Sequence, residues 1–166
     1  MARVTAPLRE EHKELLPHVT RLREAADAVG ERPPDEVRER VGAALDFLLH
    51  SLIPHAKAED AALYPVVQKL LGAPGATATM SRDHVEVGRL TSELSKLAAG
   101  LGPAPVAPAQ QRELRRLLYG LHALVALHFA KEEEVYLPLL DERLSAGEAR
   151  AMFASMEKAA AAARGG

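Results

Sequence analysis

The sequence contains no cysteine, which removes two classes of site from consideration. Neither a disulfide framework nor a metal site with thiolate ligands can form without cysteine. Long apolar runs are also missing, since no stretch of about 18 apolar residues occurs. The first residues, MARVTAPLREEH, lack the apolar core of a secretory signal. We therefore expect a cytoplasmic protein that makes no use of a membrane.

The chain also has little net charge and few aromatic residues. Its formal net charge is −2, and aromatic residues make up 4% of the 166 positions. Because nucleic-acid-binding domains favour a basic face, no nucleic-acid partner is expected. The composition instead favours Ala, Leu, Glu and Arg, which are strong helix formers and indicate an all-α fold. The length suits one domain, predicted over residues 1–166.

Clusters of proline and glycine divide the sequence into long helical segments. These clusters stand at 30–35, 72–79 and 100–108, and they predict helices near 5–29, 35–71, 79–100 and 108–143. Ser145 and Glu148 have the spacing of a capping box, which predicts a short C-terminal helix near 146–163. The short connections predict an antiparallel up-down-up-down four-helix bundle over about 5–143, followed by this short fifth helix.

The apolar stripe of every long helix is interrupted by side chains that can bind metal. Apolar residues recur at steps of three and four, as expected for one face of a helix. The first and third helices carry one histidine on the stripe, whereas the second and fourth carry a histidine followed four residues later by a glutamate. The six interrupting residues are His12, His55, Glu59, His84, His128 and Glu132. By contrast, His50 is predicted to face solvent, and His18 and His122 to lie on the flanks.

The spacing of these six residues predicts that they meet in one layer of the bundle. His12 and His55 are 43 residues apart and His84 and His128 are 44 apart, which places each pair at a similar height on neighbouring helices. Two buried carboxylates without a cation would each cost several kcal/mol, so a metal site is expected. The ligand types leave iron, zinc and manganese open. Two metals bridged by both glutamates would keep about two to four coordination positions for water, an oxide or hydroxide bridge and an exogenous ligand.

The alternation of a single histidine with a His-x-x-x-Glu pair resembles the hemerythrin-like (HHE cation-binding) family over about residues 5–143. The resemblance implies a non-haem di-iron site, oxo- or hydroxo-bridged, that meets dioxygen, peroxide or nitric oxide. The four histidines would be terminal ligands and the two glutamates bridging ligands. Oxygen-carrying hemerythrins have a fifth histidine one turn after that of the third helix, where this sequence has Gly88. Tyr136, four residues after Glu132, and Tyr64 are candidates to replace it as a phenolate ligand or a hydrogen-bond donor.

Two prolines and three acidic residues near the predicted site are not expected to be ligands. Pro65 and Pro138 lie inside the second and fourth helices, where they predict bends. Glu133 and Glu134 are expected to form a solvated or flanking acidic edge, and Glu86 has no predicted role.

Three functions remain open at this point. The missing fifth histidine weakens reversible oxygen carriage and favours catalase-like decomposition of hydrogen peroxide, or of a related small oxidant, in oxidative stress defence. The alternatives are reversible binding or sensing of dioxygen or nitric oxide, and iron storage or buffering. No cage-forming surface supports storage. The expected partner is a small diatomic or peroxide ligand, the expected oligomeric state is a monomer or weak dimer, and the sequence names no catalytic residue.

Overall fold

The computed structural model describes residues 3–165 as five helices joined by short connections. They are α1 (Ala6–Ala28), α2 (residues 34–71), α3 (Ala78–Ala99), α4 (residues 108–143) and α5 (Ala146–Arg164). The predicted all-helical fold and short C-terminal helix are confirmed, and Ser145 forms the predicted capping box with Glu148. Met1, Ala2 and Gly166 of the predicted domain lie outside the described residues. Within the described residues, none of the helices is both long and apolar enough to cross a bilayer.

α2 and α4 are continuous helices that contain turns of π-helix. In α2 the segments are Pro34–Phe47, the π turn Leu48–Leu52, Ile53–Ala58, the π turn Glu59–Leu63 and Tyr64–Leu71. In α4 they are Pro108–Lys131, the π turn Glu132–Tyr136 and Leu137–Arg143. Two of the three π turns therefore begin at the glutamates that the sequence predicts as ligands.

Each π turn has a proline as the second residue after it. Proline lacks an N–H and its ring clashes with the carbonyl four residues earlier, which widens the turn before it. The backbone N–H groups of Tyr64 and Leu137 accordingly donate to the carbonyls of Glu59 and Glu132, five residues back. Bends are predicted at Pro65 and Pro138, and the structure has π turns before these prolines within continuous helices.

The first four helices surround a common interior that is divided by a polar layer. α1 and α3 each pack against both α2 and α4, and α5 lies across the middle of α2. One apolar cluster includes Leu15, Leu52 and Val87, and a second includes Leu8 and Leu137. Along each of the four helices the two clusters lie mainly on opposite sides of the predicted ligands, and their order alternates from one helix to the next. An up-down-up-down arrangement would produce such an alternation, and it stays a prediction.

Candidate metal centre

The polar layer between the two apolar clusters brings all six predicted ligand residues together. Five of them are buried, and only His84 reaches partial exposure. Their ligand atoms form two groups in which all atoms lie within 4.8 Å of one another. One group contains His12, His55, Glu59 and Glu132, and the other contains Glu59, His84 and His128. We refer to these six residues as the ligand cluster, and Glu59 belongs to both of its groups.

The carboxylate of Glu59 presents one oxygen to each pair of histidines. Oε1 lies 3.0 Å from Nε2 of His55 and 3.8 Å from Nε2 of His12. Oε2 lies 3.2 Å from Nε2 of His84 and 3.9 Å from Nε2 of His128. Two cations, one between each pair of imidazoles, could therefore share this carboxylate.

Glu132 is divided between the two sides in the same way. Its Oε2 lies 3.4 Å from Nε2 of His12, and its Oε1 lies 3.5 Å from Nε2 of His128. Glu59 comes from α2 and Glu132 from α4, so the two carboxylates approach the layer from opposite sides of the interior. This arrangement suits two carboxylates that bridge one pair of cations.

The ligand cluster contains buried polar atoms that protein groups leave without partners. Nε2 of His12 and His55, both oxygens of Glu59 and Oε2 of Glu132 have no hydrogen-bond partner within residues 3–165. Leaving such an atom unpaired costs about 1–3 kcal/mol, and more for a charged group. Nε2 of His84 also faces Nε2 of His128 at 3.0 Å. Imidazole and carboxylate ligands suit iron, zinc or manganese, so the residues fit a pair of such cations.

Without a cation, protons would have to balance the two carboxylates. Burial opposes the charged form of His128, but Glu132 and Glu59 outweigh burial and raise its pKa to about 10. Burial likewise opposes ionisation of Glu59, but His55 and the other imidazoles hold its pKa well below the usual range. For Glu132, burial and the charge of Glu59 together raise the pKa. The ligand cluster is therefore stabilised by positive charge, which either protons or metal cations can supply.

Each imidazole of the cluster also contacts a carboxylate of a neighbouring helix, on the side of the ring that faces away from the metal position. In each case Nδ1 is the atom that faces the carboxylate, at a distance of 2.8 Å for His12 and 2.9 Å for the other three. The four acids, which we call the outer carboxylates, are Glu11, Asp60, Asp83 and Glu133. A hydrogen bond donated by Nδ1–H fixes the tautomer in which the lone pair of Nε2 points to the metal position.

The outer carboxylates were missed from the sequence. Glu133 is expected only as part of a solvated or flanking acidic edge, whereas its carboxylate accepts from His12 and pairs with Arg9. Each outer carboxylate is the sequence neighbour of a residue of the ligand cluster, but this adjacency alone does not distinguish it from an exposed acid. Glu134 is exposed, as predicted.

The structure brings one of the two candidate tyrosines to the ligand cluster. The hydroxyl of Tyr64 donates to Oε1 of Glu132 at 2.8 Å and lies 3.2 Å from Nε2 of His128 and 3.4 Å from Nε2 of His84. Burial is the main reason why the pKa of Tyr64 is raised, so without metal its hydroxyl stays protonated. Tyr136 instead donates to the carbonyl of Ala76 at 3.2 Å, outside the cluster. The expectation for Tyr136 assumed a regular α-helix, whereas the π turn from Glu132 changes the phase of this residue.

The other sequence expectations concern positions around the cluster. His50 has 70% of its side chain exposed, and His18 stacks on Phe47 with ring centroids 5.2 Å apart. Neither these two nor His122 belongs to the groups of potential metal ligands in the described part of the chain. Gly88 itself carries no side chain, and a Cβ atom added there would meet nothing within 4 Å.

A small apolar cavity adjoins the ligand cluster. Its volume is about 10 Å³, and it is lined by residues of the cluster and by five apolar side chains. The apolar side chains are Leu52, Ala56, Val87, Val125 and Phe129. A cavity of this size holds about one water-sized molecule. The space beside the cluster is therefore suited to a very small ligand.

Comparison with known proteins agrees with this geometry. The family model described as Hemerythrin HHE cation binding domain matches residues 3–140, which include the whole ligand cluster. No curated protein and no solved structure matches the chain. The matched segment covers α1 to α3 and nearly all of α4, and it contains the buried His/Glu cluster that is compatible with a di-iron site. The chain belongs to the hemerythrin HHE cation-binding domain family.

Proposed function

We propose that the ligand cluster holds two iron ions, bridged by the carboxylates of Glu59 and Glu132. His12 and His55 would be terminal ligands of one ion, and His84 and His128 of the other. The observation that carries this proposal is the division of the cluster into two groups that share Glu59. When bound, the two ions would supply the electrons that are exchanged with a small oxidant.

We further propose that the oxidant is hydrogen peroxide and that the protein decomposes it in a catalase-like reaction. Two molecules of peroxide give two of water and one of dioxygen, so the net reaction needs no external reductant. With both glutamates bridging, each ion would have four protein ligands, and the fifth histidine of oxygen carriers is missing one turn after His84, which supports an open position there. Gly88 stands at the place of that histidine, and a Cβ atom added there would meet nothing within 4 Å. The cavity of about 10 Å³ holds about one water-sized molecule, so the space beside the cluster suits only a very small substrate.

In this proposal Tyr64 holds a proton beside the open position. Its hydroxyl donates to Glu132 and lies within 3.4 Å of the imidazoles of His84 and His128. A buried O–H at this place can reorient toward a small ligand while remaining protonated. We therefore propose that Tyr64 acts as a hydrogen-bond donor. The alternative is that Tyr64 binds the metal as a phenolate ligand.

Reversible binding of dioxygen or nitric oxide is the second candidate function. It is favoured by the apolar lining of the cavity, which would accept an uncharged diatomic molecule. The two functions differ in outcome, since a carrier forms an adduct that is lost on degassing, whereas a peroxide-decomposing enzyme releases dioxygen continuously.

The test begins with metal analysis of the purified protein and its visible spectrum, for which about two irons per chain are expected. Dioxygen release from peroxide is then compared among the iron-loaded wild type, Gly88→His and Gly42→His. Both glycines have no atom within 4 Å of an added Cβ, but only Gly88 is one turn from a ligand. We expect Gly88→His to slow dioxygen release and Gly42→His to leave it unchanged. Release no faster than that of free iron would remove the catalase-like reaction.

A further inference from the structure

The four outer carboxylates form a closed circuit around the bundle. Each acid accepts a hydrogen bond from an imidazole on the next helix, in the order α1, α2, α3, α4 and back to α1. The pairs, with the acid first, are Glu11 with His55, Asp60 with His84, Asp83 with His128 and Glu133 with His12. Every helix of the four thus contributes to the ligand cluster and also orients an imidazole of the following helix.

The circuit has a simple origin in the sequence. An outer carboxylate stands one residue before a cluster residue on α1 and α3, and one residue after a cluster residue on α2 and α4. Adjacent residues are about 100° apart around a helix, so when one points to the interior the other points along the interface with a neighbouring helix. If neighbouring helices run in opposite directions, a step of one residue backward on α1 and α3 and of one residue forward on α2 and α4 rotates the side chain in the same sense around the bundle. Each carboxylate then meets the following helix, and the circuit can close.

We infer that Glu11, Asp60, Asp83 and Glu133 are positioning residues that set the metal affinity of the ligand cluster. This inference rests on the proposed metal site. Each carboxylate keeps its imidazole in the Nδ1–H tautomer, aims Nε2 at the metal position and increases the basicity of the ring. Loss of such a partner costs about 10–100-fold in metal affinity. Because the partners lie on different helices, each hydrogen bond also ties a ligand to the packing of the neighbouring helix.

The outer carboxylates differ in what else they contact. Lys131 donates to Oδ2 of Asp83, the same oxygen that accepts from His128. Within residues 3–165, no lysine or arginine forms an ion pair with Glu11. A lysine that shares the acceptor oxygen competes with the imidazole for it. Removal of the Lys131 ammonium group should therefore strengthen the hold of Asp83 on His128, whereas removal of the carboxylate should weaken it.

Co²⁺ is a suitable probe, because its binding can be measured by competition with a chelator and it shifts the proton resonances of its ligands. The test compares Glu11→Gln and Asp83→Asn with Glu10→Gln, at a neighbouring exposed acid whose one ion pair within residues 3–165 is with Lys13. We expect the first two variants to bind Co²⁺ about 10–100-fold more weakly and Glu10→Gln to match the wild type. In the Co²⁺-loaded protein, each of the first two should shift or lose one exchangeable imidazole N–H resonance. Lys131→Met should bind Co²⁺ more tightly than the wild type.

The imidazole N–H resonance is observed on folded, metal-loaded protein, so a folding defect cannot imitate its selective change. If the wild type binds Co²⁺ but Glu11→Gln and Asp83→Asn bind it as Glu10→Gln does, with every N–H resonance in place, the positioning role is refuted and the metal site stands. Weaker binding by Lys131→Met would also contradict the inference. If the wild type binds neither Co²⁺ nor Fe²⁺, the proposed metal site itself fails.

Discussion

Replacement of Glu59 by glutamine is the most direct test of a shared carboxylate. Glu59 is fully buried, and it belongs to both groups of potential ligands. Glutamine keeps the size and shape of the side chain but removes the negative charge. Any loss of metal can then be attributed to the carboxylate rather than to a cavity.

The expected magnitude follows from the number of ligands at each position. A structural zinc site with four ligands has an apparent binding free energy of about 10–16 kcal/mol, or about 3 kcal/mol for each ligand. Because 1.4 kcal/mol corresponds to a factor of ten, loss of one ligand should weaken binding about 100-fold. Glu59→Gln removes a charged ligand from both positions, so both cations should bind about 100-fold more weakly.

The assay is a titration with Fe²⁺ or Co²⁺ in competition with a chelator, followed by metal analysis after desalting. Glu132→Gln provides an informative comparison, because Glu132 is the second carboxylate with one oxygen directed to each pair of imidazoles. It should weaken both positions as well. Glu134→Gln, which changes an exposed acid, should bind two cations with the affinity of the wild type. Retention of two cations by Glu59→Gln, with affinities within about threefold of the wild type, would refute the bridging assignment.

Three further predictions address the histidines, the pH dependence of stability and the tyrosine. His55→Ala should empty at least one metal position, whereas His50→Ala, at a side chain that is 70% exposed, should leave the metal content unchanged; the opposite result would show that the helical phase is misassigned. The pKa of His128 is raised from 6.5 to about 10 without metal, so the charge on this residue stabilises the metal-free protein fully below pH 6.5 and is lost as pH rises toward 10. Urea unfolding of chelator-treated protein should therefore show a free energy that falls over this window, and a level or rising value would contradict the assignment. Tyr64→Phe should slow peroxide decomposition and leave the visible spectrum of the iron-loaded protein nearly unchanged, whereas disappearance of a phenolate-to-iron band would make Tyr64 a ligand.

The sequence predicted the features of this site that depend on one helix at a time. A histidine or glutamate on an apolar stripe is visible because the period of 3.6 residues identifies the buried face. His12 and His84 could be recognised in this way, and so could the two His-x-x-x-Glu pairs. The clusters of proline and glycine also predicted the ends of the helices to within a few residues, because a helix end likewise depends on the sequence of one helix alone.

The outer carboxylates depend on the relation between helices, which the pattern of a single helix does not contain. Seen alone, Glu11 and Asp60 lie beside the apolar stripe, and their side chains are 48% and 39% exposed. Such positions are indistinguishable from ordinary solvated acids. Only the side-by-side placement of α1, α2 and α3 shows that each carboxylate meets an imidazole of the next helix.

The two tyrosines show why a regular helical period misplaces residues after a proline. In an α-helix the residue four positions after a glutamate lies on nearly the same face, which made Tyr136 a candidate. A π turn has i→i+5 hydrogen bonds, and it brings the fifth residue to that face instead. Tyr64 is the fifth residue after Glu59 and reaches the ligand cluster, whereas Tyr136 is the fourth after Glu132 and does not. The prolines at 65 and 138, which displace the preceding turn, therefore decide which aromatic hydroxyl the metal position can use.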